Sequence, residues 1–476
     1  MSALQLCWLR NDLRLHDNSA LWQASQNGPV VAVCLLTPSV WQSHDDAPVK
    51  VDFWLRNLQC LSEQLKQRNI PLRLISLEDW SLAPSALLKL AAELGAQGVF
   101  FNDEYGIHEQ LRDDAVAAAF AEQQLACQRF TDLVLFSPGS LLTQAGSMFK
   151  VYSQFRKLAY RRLHESMPVC LPPPAQQADS GLASDPVPGS VQGYQPASDY
   201  QQNLWPAGEA AAAKRLEQFT QDIMADYDDS RDRPDQDGTS RLSAYLVCGV
   251  LSPRQCLHAA LSANRGEFDS GNPGAVSWVN ELLWREFYKH ILVCYPHVSR
   301  HRAFRREMDA VPWRDDAEAL AAWQQGRTGI PIIDAAMRQL LTSGWMHNRL
   351  RMLSAMFLTK NLLIDWREGE RWFMRHLIDG DLAANNGGWQ WSASTGTDAA
   401  PYFRIFNAVT QSRKFDPQGD FIRAWIPELR DLSDRQIHEP PATDLLSTSR
   451  YPAPIVDLGQ SRRRALDTFK QLGESA

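Results

Sequence analysis

The sequence predicts an α/β domain followed by an all-α domain, and three observations carry that prediction. Over the first ~135 residues, short apolar runs alternate with helical patterns at the spacing of a parallel, doubly wound sheet. Residues 168–206 then give way to Pro, Gly, Ser and Gln. From about 208 onward the hydrophobic period is helical, and ten of the sixteen tryptophans fall between 278 and 425. The expected organisation is a Rossmann-like domain over 1–135, a connector over 136–207 and a helical domain over 208–476.

Taken in order, the candidate strands are Leu4–Leu9, Val30–Leu36, Leu72–Ser76, Gly98–Asn102 and a fifth near Leu133–Phe136. Helical patterns at Asn18–Gln26, Val51–Arg68, Pro84–Leu94 and Glu109–Gln124 separate them. Such sheets bind ligands at the carboxyl ends of their strands. No GxGxxG follows a strand and no GxxxxGK[ST] occurs, which excludes a Rossmann fingerprint and a P-loop. The Pro-rich stretch suits a long irregular connector on the surface. Beyond it, Ser252-Pro253 reads as a cap with proline in the first turn. Ser277–Tyr295 and Ile332–Thr342 are strong helical stretches, the second with Gly344 as its stop signal. A third runs from Met346 to about Leu363.

A chain of 476 residues has room for two or three domains with real cores. Its 44% hydrophobic and 22% charged content is that of a soluble globular protein. No run approaches ~18 apolar residues, and the N-terminus lacks the basic start of a signal peptide, so a cytoplasmic location is expected. The eight cysteines show no CxxC pair and no zinc spacing, so no metal is expected. Most sit in apolar company and read as buried, reduced thiols. A net charge of −7 argues against indiscriminate polyanion binding, yet leaves room for a local basic face.

Between Trp366 and Asp398 lies a run with three further tryptophans (Trp372, Trp389, Trp391), close aspartates (Asp379, Asp381), the pair Asn385-Asn386 and the pair Gly387-Gly388. It is too polar for an ordinary core helix, and its glycines are costly for a helix chosen on propensity. Such a run suits a large aromatic ligand with a polar fringe. Trp278, Glu281, Arg285 and Tyr288 recur at i, i+3, i+7 and i+10, on one helix face. Glu281 and Arg285 read equally well as a plain i,i+4 ion pair. Asn348 and Met352 share a face, and an amide there offers both a donor and an acceptor. Arg351 is a candidate partner for Asp379 or Asp381. Gly238–Ser243 places hydroxyls and N–H groups ahead of a helix, where a diphosphate sits well, although a simple capping turn would look the same.

Together with the opening Trp8-Leu-Arg10-Asn-Asp12-Leu-Arg14-Leu-His-Asp17-Asn18, these motifs resemble the photolyase/cryptochrome family over essentially the whole chain. The likeness is to the bacterial class I cyclobutane pyrimidine dimer type with a folate antenna. The resemblance implies a U-shaped FAD in the helical domain. Thr239, Ser240, Arg241, Leu242 and Ser243, with Tyr227, would hold its diphosphate. Trp278, Glu281, Arg285, Asn348, Arg351, Asp379 and Asp381 would line the cofactor. Asn385 matches the residue facing flavin N5, where plant cryptochromes carry Asp and animal ones Cys. Trp389, Trp366 and Trp313 match the electron-hopping triad, although as single residues they read as core. Glu281, Trp284, Asn348, Met352 and Trp391 match the pocket for a flipped dimer, and Arg231, Arg349 and Arg404 are implied phosphate contacts.

Glu109 matches the folate-binding acid. His108 replaces Asn, and Ser299-Arg300 replaces Cys-Lys, so a 5,10-methenyltetrahydrofolate antenna held by His108, Glu109 and Arg300 is expected. The implied activity is light-driven repair of cyclobutane dimers in duplex DNA by a monomer. A signalling cryptochrome, a (6-4) photolyase and a single-strand-preferring relative are the alternatives. Asn385 and the short tail favour the enzyme. The pair His347-Asn348, with Met352, favours the cyclobutane type.

Overall fold

The computed structural model describes residues 3–441 and 451–475. The chain divides into two compact units. The first comprises 1–225, 240–296 and 378–380, and the second 226–239, 297–377 and 381–476.

The first unit is built on a five-stranded parallel sheet in the order β3-β2-β1-β4-β5. The strands are β1 (Gln5–Leu9), β2 (Val30–Leu36), β3 (Leu72–Ser76), β4 (Gly98–Asn102) and β5 (Ala126–Phe130). Every residue of β1, β2 and β4 is buried. Burial on both faces explains why these strands are unbroken apolar runs rather than alternating ones. Helices Ser19–Asn27, Pro48–Gln67, Ala83–Leu94 and Ile107–Glu122 run between the strands. Asn18 caps the first of them by accepting from Leu21 N, and Gly95, at φ +69°, ends the third.

The fifth strand is not where the apolar pattern places it. β5 is the half-exposed edge strand Ala126–Phe130, whose polar residues hide it from a hydrophobicity reading. Leu133–Phe136 is irregular because its backbone groups are taken elsewhere. The Glu286 carboxylate accepts from Leu135 N at 2.9 Å and Phe136 N at 3.3 Å, and Arg285 Nη1 donates to Leu133 O at 2.6 Å.

Within 136–207 lies a full helix, Tyr152–Glu165, before an irregular stretch over 166–188. This helix packs against the 22-residue helix Pro273–Cys294. Ser252 forms a capping box with Gln255 at the start of Pro253–Ala263.

The second unit is helical. Its core gathers Trp323, Ile333, Met337, Leu340, Leu358, Trp366, Phe373 and Trp389. Helix Pro331–Ser343 stops at Gly344, whose φ of +72° is left-handed backbone that glycine adopts without strain. Helix Asn348–Met356 runs into a π-helical turn, Phe357–Leu362, and both pack against Leu382–Ala393. Among the described residues no helix is long and apolar enough to cross a membrane.

Candidate functional site

In the first unit, helix 273–294 starts at Asn272, which accepts from Ala275 N, with Pro273 in the first turn. Its inner face is pinned to the irregular segment 133–139. Glu286 is fully buried, and loss of hydration pushes its carboxyl up to about 7 against the opposing charge of Arg285. His290, one turn on, is lowered to about 4 by burial and meets Gly139 N and Phe136 O. Trp278 is buried against Phe219, with centroids 5.0 Å apart. Glu281, Trp284, Arg285 and Tyr288 are half-buried. Arg285 spends one guanidinium nitrogen on Leu133 O, a bond that its assignment to a ligand pocket did not anticipate.

The 240–243 turn is held from several sides. Arg215 Nε donates to Ser240 O at 2.8 Å, Arg241 has φ +51°, and Leu242 is buried. Ser243 Oγ donates to Asp379 Oδ2 at 2.6 Å. The helix that follows, Ser243–Val247, has only five residues. Its dipole is therefore slight, and hydroxyls and N–H groups must supply most of any grip on an anion.

At the carboxyl ends of β1 and β4, where the strand order reverses, charged side chains pair with one another. Arg10 reaches Asp113 Oδ1 at 2.7 Å and Asn102 O, and Arg112 reaches Glu104 Oε2 at 2.7 Å. Burial alone would raise Glu104, but Arg112 and Arg10 outweigh it and hold the carboxyl at about 2. Arg14, Asp17, Asp132 and Arg254 continue the network inward. Buried ion pairs thus line the switch point of this sheet.

Nearby, His108 stacks on His44 at 5.4 Å, and His44 meets the edge of Trp80 at 5.0 Å. Glu109 lies against Gly106, where a Cβ would come within 2.1 Å of its Oε2. Burial, then the charge of Glu104, pushes Glu109 up to about 7. As the acid in the first turn of helix 107–122 it also has a structural use.

In the second unit, helix Trp366–Met374 packs on Leu382–Ala393. Asp381 caps the latter by accepting from Ala384 N at 2.9 Å. Asn385 Nδ2 donates to Glu370 O at 2.9 Å, which orients the amide. Glu370 Oε1 accepts from Asn386, whose own carbonyl accepts from Gln390, both at 2.8 Å. Trp366 and Trp389 share the buried core, and Trp313 packs at its edge. None of their three indole N–H groups has a hydrogen-bond partner among the described residues.

Asn348, Arg349 and Met352 lie on helix 348–356, which packs on the helix carrying Trp391. Asn348 is exposed, and Met352 and Trp391 are half-buried. Arg349 is already engaged: it pairs with Asp232 and its guanidinium lies 4.6 Å over the Phe415 ring. Arg231 lies 5.3 Å over Tyr227, and exposed Arg404 lies 5.9 Å over Phe406. Arg351 Nε donates to Met346 O at 2.8 Å. Arg300 is exposed in the turn Val298–Arg300, and Thr239 is half-buried beside Gly238. Among the described residues no His, Cys, Asp or Glu group is arranged to hold a metal.

Sequence reasoning did not find the supporting residues Tyr152, Asp232, Glu286 and Glu370. They lie outside the motifs or bear no mark of chemistry; only the apolar stripe of Tyr152, Phe155 and Leu158 hints at one of them.

Residues 5–175 match the family model described as DNA photolyase, and residues 278–471 match the FAD binding domain of DNA photolyase. The chain is 45% identical to the deoxyribodipyrimidine photo-lyase of Escherichia coli over 98% of each chain. It is 39% identical to that of Neurospora crassa, covering 98% of this chain and 81% of the relative. Among solved structures, a bacterial class III photolyase from Agrobacterium tumefaciens superimposes with a TM-score of 0.88 at 34% identity, covering 100% of this chain and 98% of the other. A cryptochrome from Synechocystis gives a TM-score of 0.84 at 28% identity, covering 98% and 99%. With both family models matched in order and relatives aligned from end to end, this chain belongs to the DNA photolyase family.

Proposed function

We propose that this protein repairs cyclobutane pyrimidine dimers in DNA under light, with FAD as its cofactor. The single observation that carries the reading is the setting of Asn385. One N–H of its NH2 group donates to Glu370 O, which orients the amide, and its carbonyl oxygen can accept from a donor. The N5–H of a reduced flavin is such a donor, and a neutral amide has no proton to deliver in return. Bound reduced FAD would lend an electron to the dimer under light and take it back once the cyclobutane ring has split, so that the repair has no net redox change.

The protein's own residues do the rest. Tyr227 and Thr239–Ser243 would grip the diphosphate. Trp278, Glu281, Arg285, Arg351, Asp379 and Asp381 would line the cofactor. Trp284, Met352 and Trp391 would offer apolar surface to the flipped dimer, while Glu281 and Asn348 bond its base edges. Flipping costs a few kcal/mol, and least at a damaged pair. Arg231, Arg349 and Arg404 would hold phosphates, with Arg349 exchanging Asp232 for the DNA. Trp313, Trp366 and Trp389 would pass electrons inward from the surface. His108, Glu109 and Arg300 would bind a methenyltetrahydrofolate antenna. A monomer working in the cytoplasm completes the reading.

The likeness to a cryptochrome keeps one other reading in view, a light-signalling protein without repair. One assay separates the two. Purified, reduced protein is illuminated with blue or near-UV light on a thymine-dimer duplex, with a dark control. Light-dependent return of thymine absorbance is expected. No repair from protein with reduced FAD bound would reject the proposal and favour the signalling or the (6-4) reading.

A further inference from the structure

The Trp284 indole is half-buried, and one of its faces is already covered. Tyr152 lies on it with centroids 3.7 Å apart and planes 12° from parallel. That is closer than the roughly 4.5–7 Å at which aromatic pairs commonly settle. Tyr152 is itself well fixed. Its hydroxyl donates to Asn280 O at 2.7 Å, and its ring meets the edge of Phe287 at 5.9 Å. Arg156 lies 6.0 Å over the same ring, and Tyr160 donates to Asn280 Oδ1 at 2.6 Å. Tyr152, Arg156 and Tyr160 recur every four residues, so one face of helix 152–165 makes all these contacts. Asn280 precedes Trp284 by one turn. The same helix contact therefore holds both the backbone beneath Trp284 and the indole itself. Phe287 and Tyr288 meet the indole from its own helix, at 5.8 and 5.6 Å.

We infer that Tyr152 is a positioning residue for damage recognition: it backs the Trp284 indole, so that only the opposite face is presented to a flipped pyrimidine dimer. The inference rests on the reading of Trp284 as a wall of the dimer pocket. A cyclobutane dimer is saturated and non-planar, and its apolar edge gains most from a wall that does not move. An unbacked indole samples other rotamers, and ordering it on binding costs affinity. Tyr152 removes that freedom beforehand. Undamaged duplex does not use the wall, so the effect of Tyr152 falls on damaged DNA alone.

The test compares Y152L, which removes the ring, with Y152F, which keeps it and drops the hydroxyl, and with W284A as reference. Each holoenzyme is titrated in the dark with a duplex carrying one thymine dimer and with the same duplex undamaged. KM and kcat for repair are then measured in light. Y152L should weaken dimer binding about three- to tenfold, from the usual worth of an aromatic pair. The loss should appear in KM rather than kcat, and affinity for undamaged duplex should hold. Y152F should stay within about twofold of wild type.

Wild-type behaviour in Y152L beside a weakened W284A overturns the inference but leaves the pocket reading standing. An unaffected W284A removes the pocket reading and the inference with it. Equal losses on both duplexes, or a Y152F as weak as Y152L, would show general packing or a hydroxyl role and also overturn it. If Y152L does not retain FAD, Y152M takes its place, and loss of FAD in both assigns Tyr152 to the scaffold and refutes the proposal.

Discussion

Replacing Glu286 by Gln should change how stability depends on pH, and by an amount that follows from its setting. The side chain is fully buried in helix 273–294 and bonds Leu135 N and Phe136 N. Burial moves its carboxyl from 4.5 up to about 7 in the folded protein. Between those values the unfolded chain has lost the proton and the folded one keeps it, so stability falls as pH rises. Below 4.5 both states are protonated and the contribution is complete; above 7 the loss is complete. A shift of that size corresponds to roughly 3 kcal/mol. An amide does not titrate, so E286Q should lack this slope while keeping an acceptor for the two N–H groups. Thermal unfolding of wild type and E286Q, followed at pH 5, 6, 7 and 8, reads the difference directly. Acid effects from other carboxylates are common to both proteins and cancel. The variant should gain several degrees on wild type between pH 5 and 8. Parallel profiles would refute the argument, since they would mean that Glu286 is no harder to ionise folded than unfolded. E286A serves as the contrast: it leaves the half-buried Leu135 and Phe136 N–H groups without this acceptor and should be destabilised at low as well as high pH.

Three further outcomes follow from the structure. In Gly369→Ala the new methyl would lie 2.0 Å from Trp389 Cη2 and 2.7 Å from Leu358 Cδ2, so the melting temperature should fall with a loss of about 1–3 kcal/mol; an unchanged transition would show that the indole yields freely. Trp313→Phe should slow photoreduction of oxidised FAD, followed by absorbance, while protein reduced beforehand repairs at the wild-type rate; equal photoreduction would remove Trp313 from the relay. Arg404→Ala should flatten the dependence of log K on log salt for DNA binding by about 0.9, the share of one phosphate contact; parallel slopes would mean that Arg404 touches no phosphate.

Most of the sheet is legible in the sequence because β1, β2 and β4 are buried on both faces and appear as apolar runs. β5 fails for the opposite reason. An edge strand reading Ala-Cys-Gln-Arg-Phe needs little hydrophobicity, whereas Leu133–Phe136 is apolar without being a strand, its backbone bonds going to Glu286 and Arg285. Hydrophobicity reports burial, and only hydrogen bonding decides the element. Helix 152–165 is overlooked for a related reason. Its stripe of Tyr152, Phe155, Leu158 and Leu163 has helical spacing, but it precedes a Pro-rich stretch whose composition dominates the range.

The site divides in the same way between residues that meet a ligand and residues that hold them. Glu281, Trp284, Asn348, Met352 and Asn385 stand in short motifs, each on a helix, and that is what lets the sequence propose them as ligand-facing residues. Their supports are unconstrained in sequence distance. Glu286 reaches a backbone 151 residues away, Arg349 an aspartate 117 residues away, and Tyr152 a carbonyl 128 residues away. None of these supports has a chemistry that would mark it out: a buried glutamate, a surface aspartate and a tyrosine are ordinary residues until their partners are known. An indole backed by Tyr152 and an amide anchored on Glu370 each have fewer ways to point, so less binding free energy is lost in ordering them when a ligand arrives. The motif therefore tells which chemistry is present, while the fold determines how far that chemistry is organised in advance. Substitutions at the supporting positions should change affinity and discrimination well before they change the reaction itself.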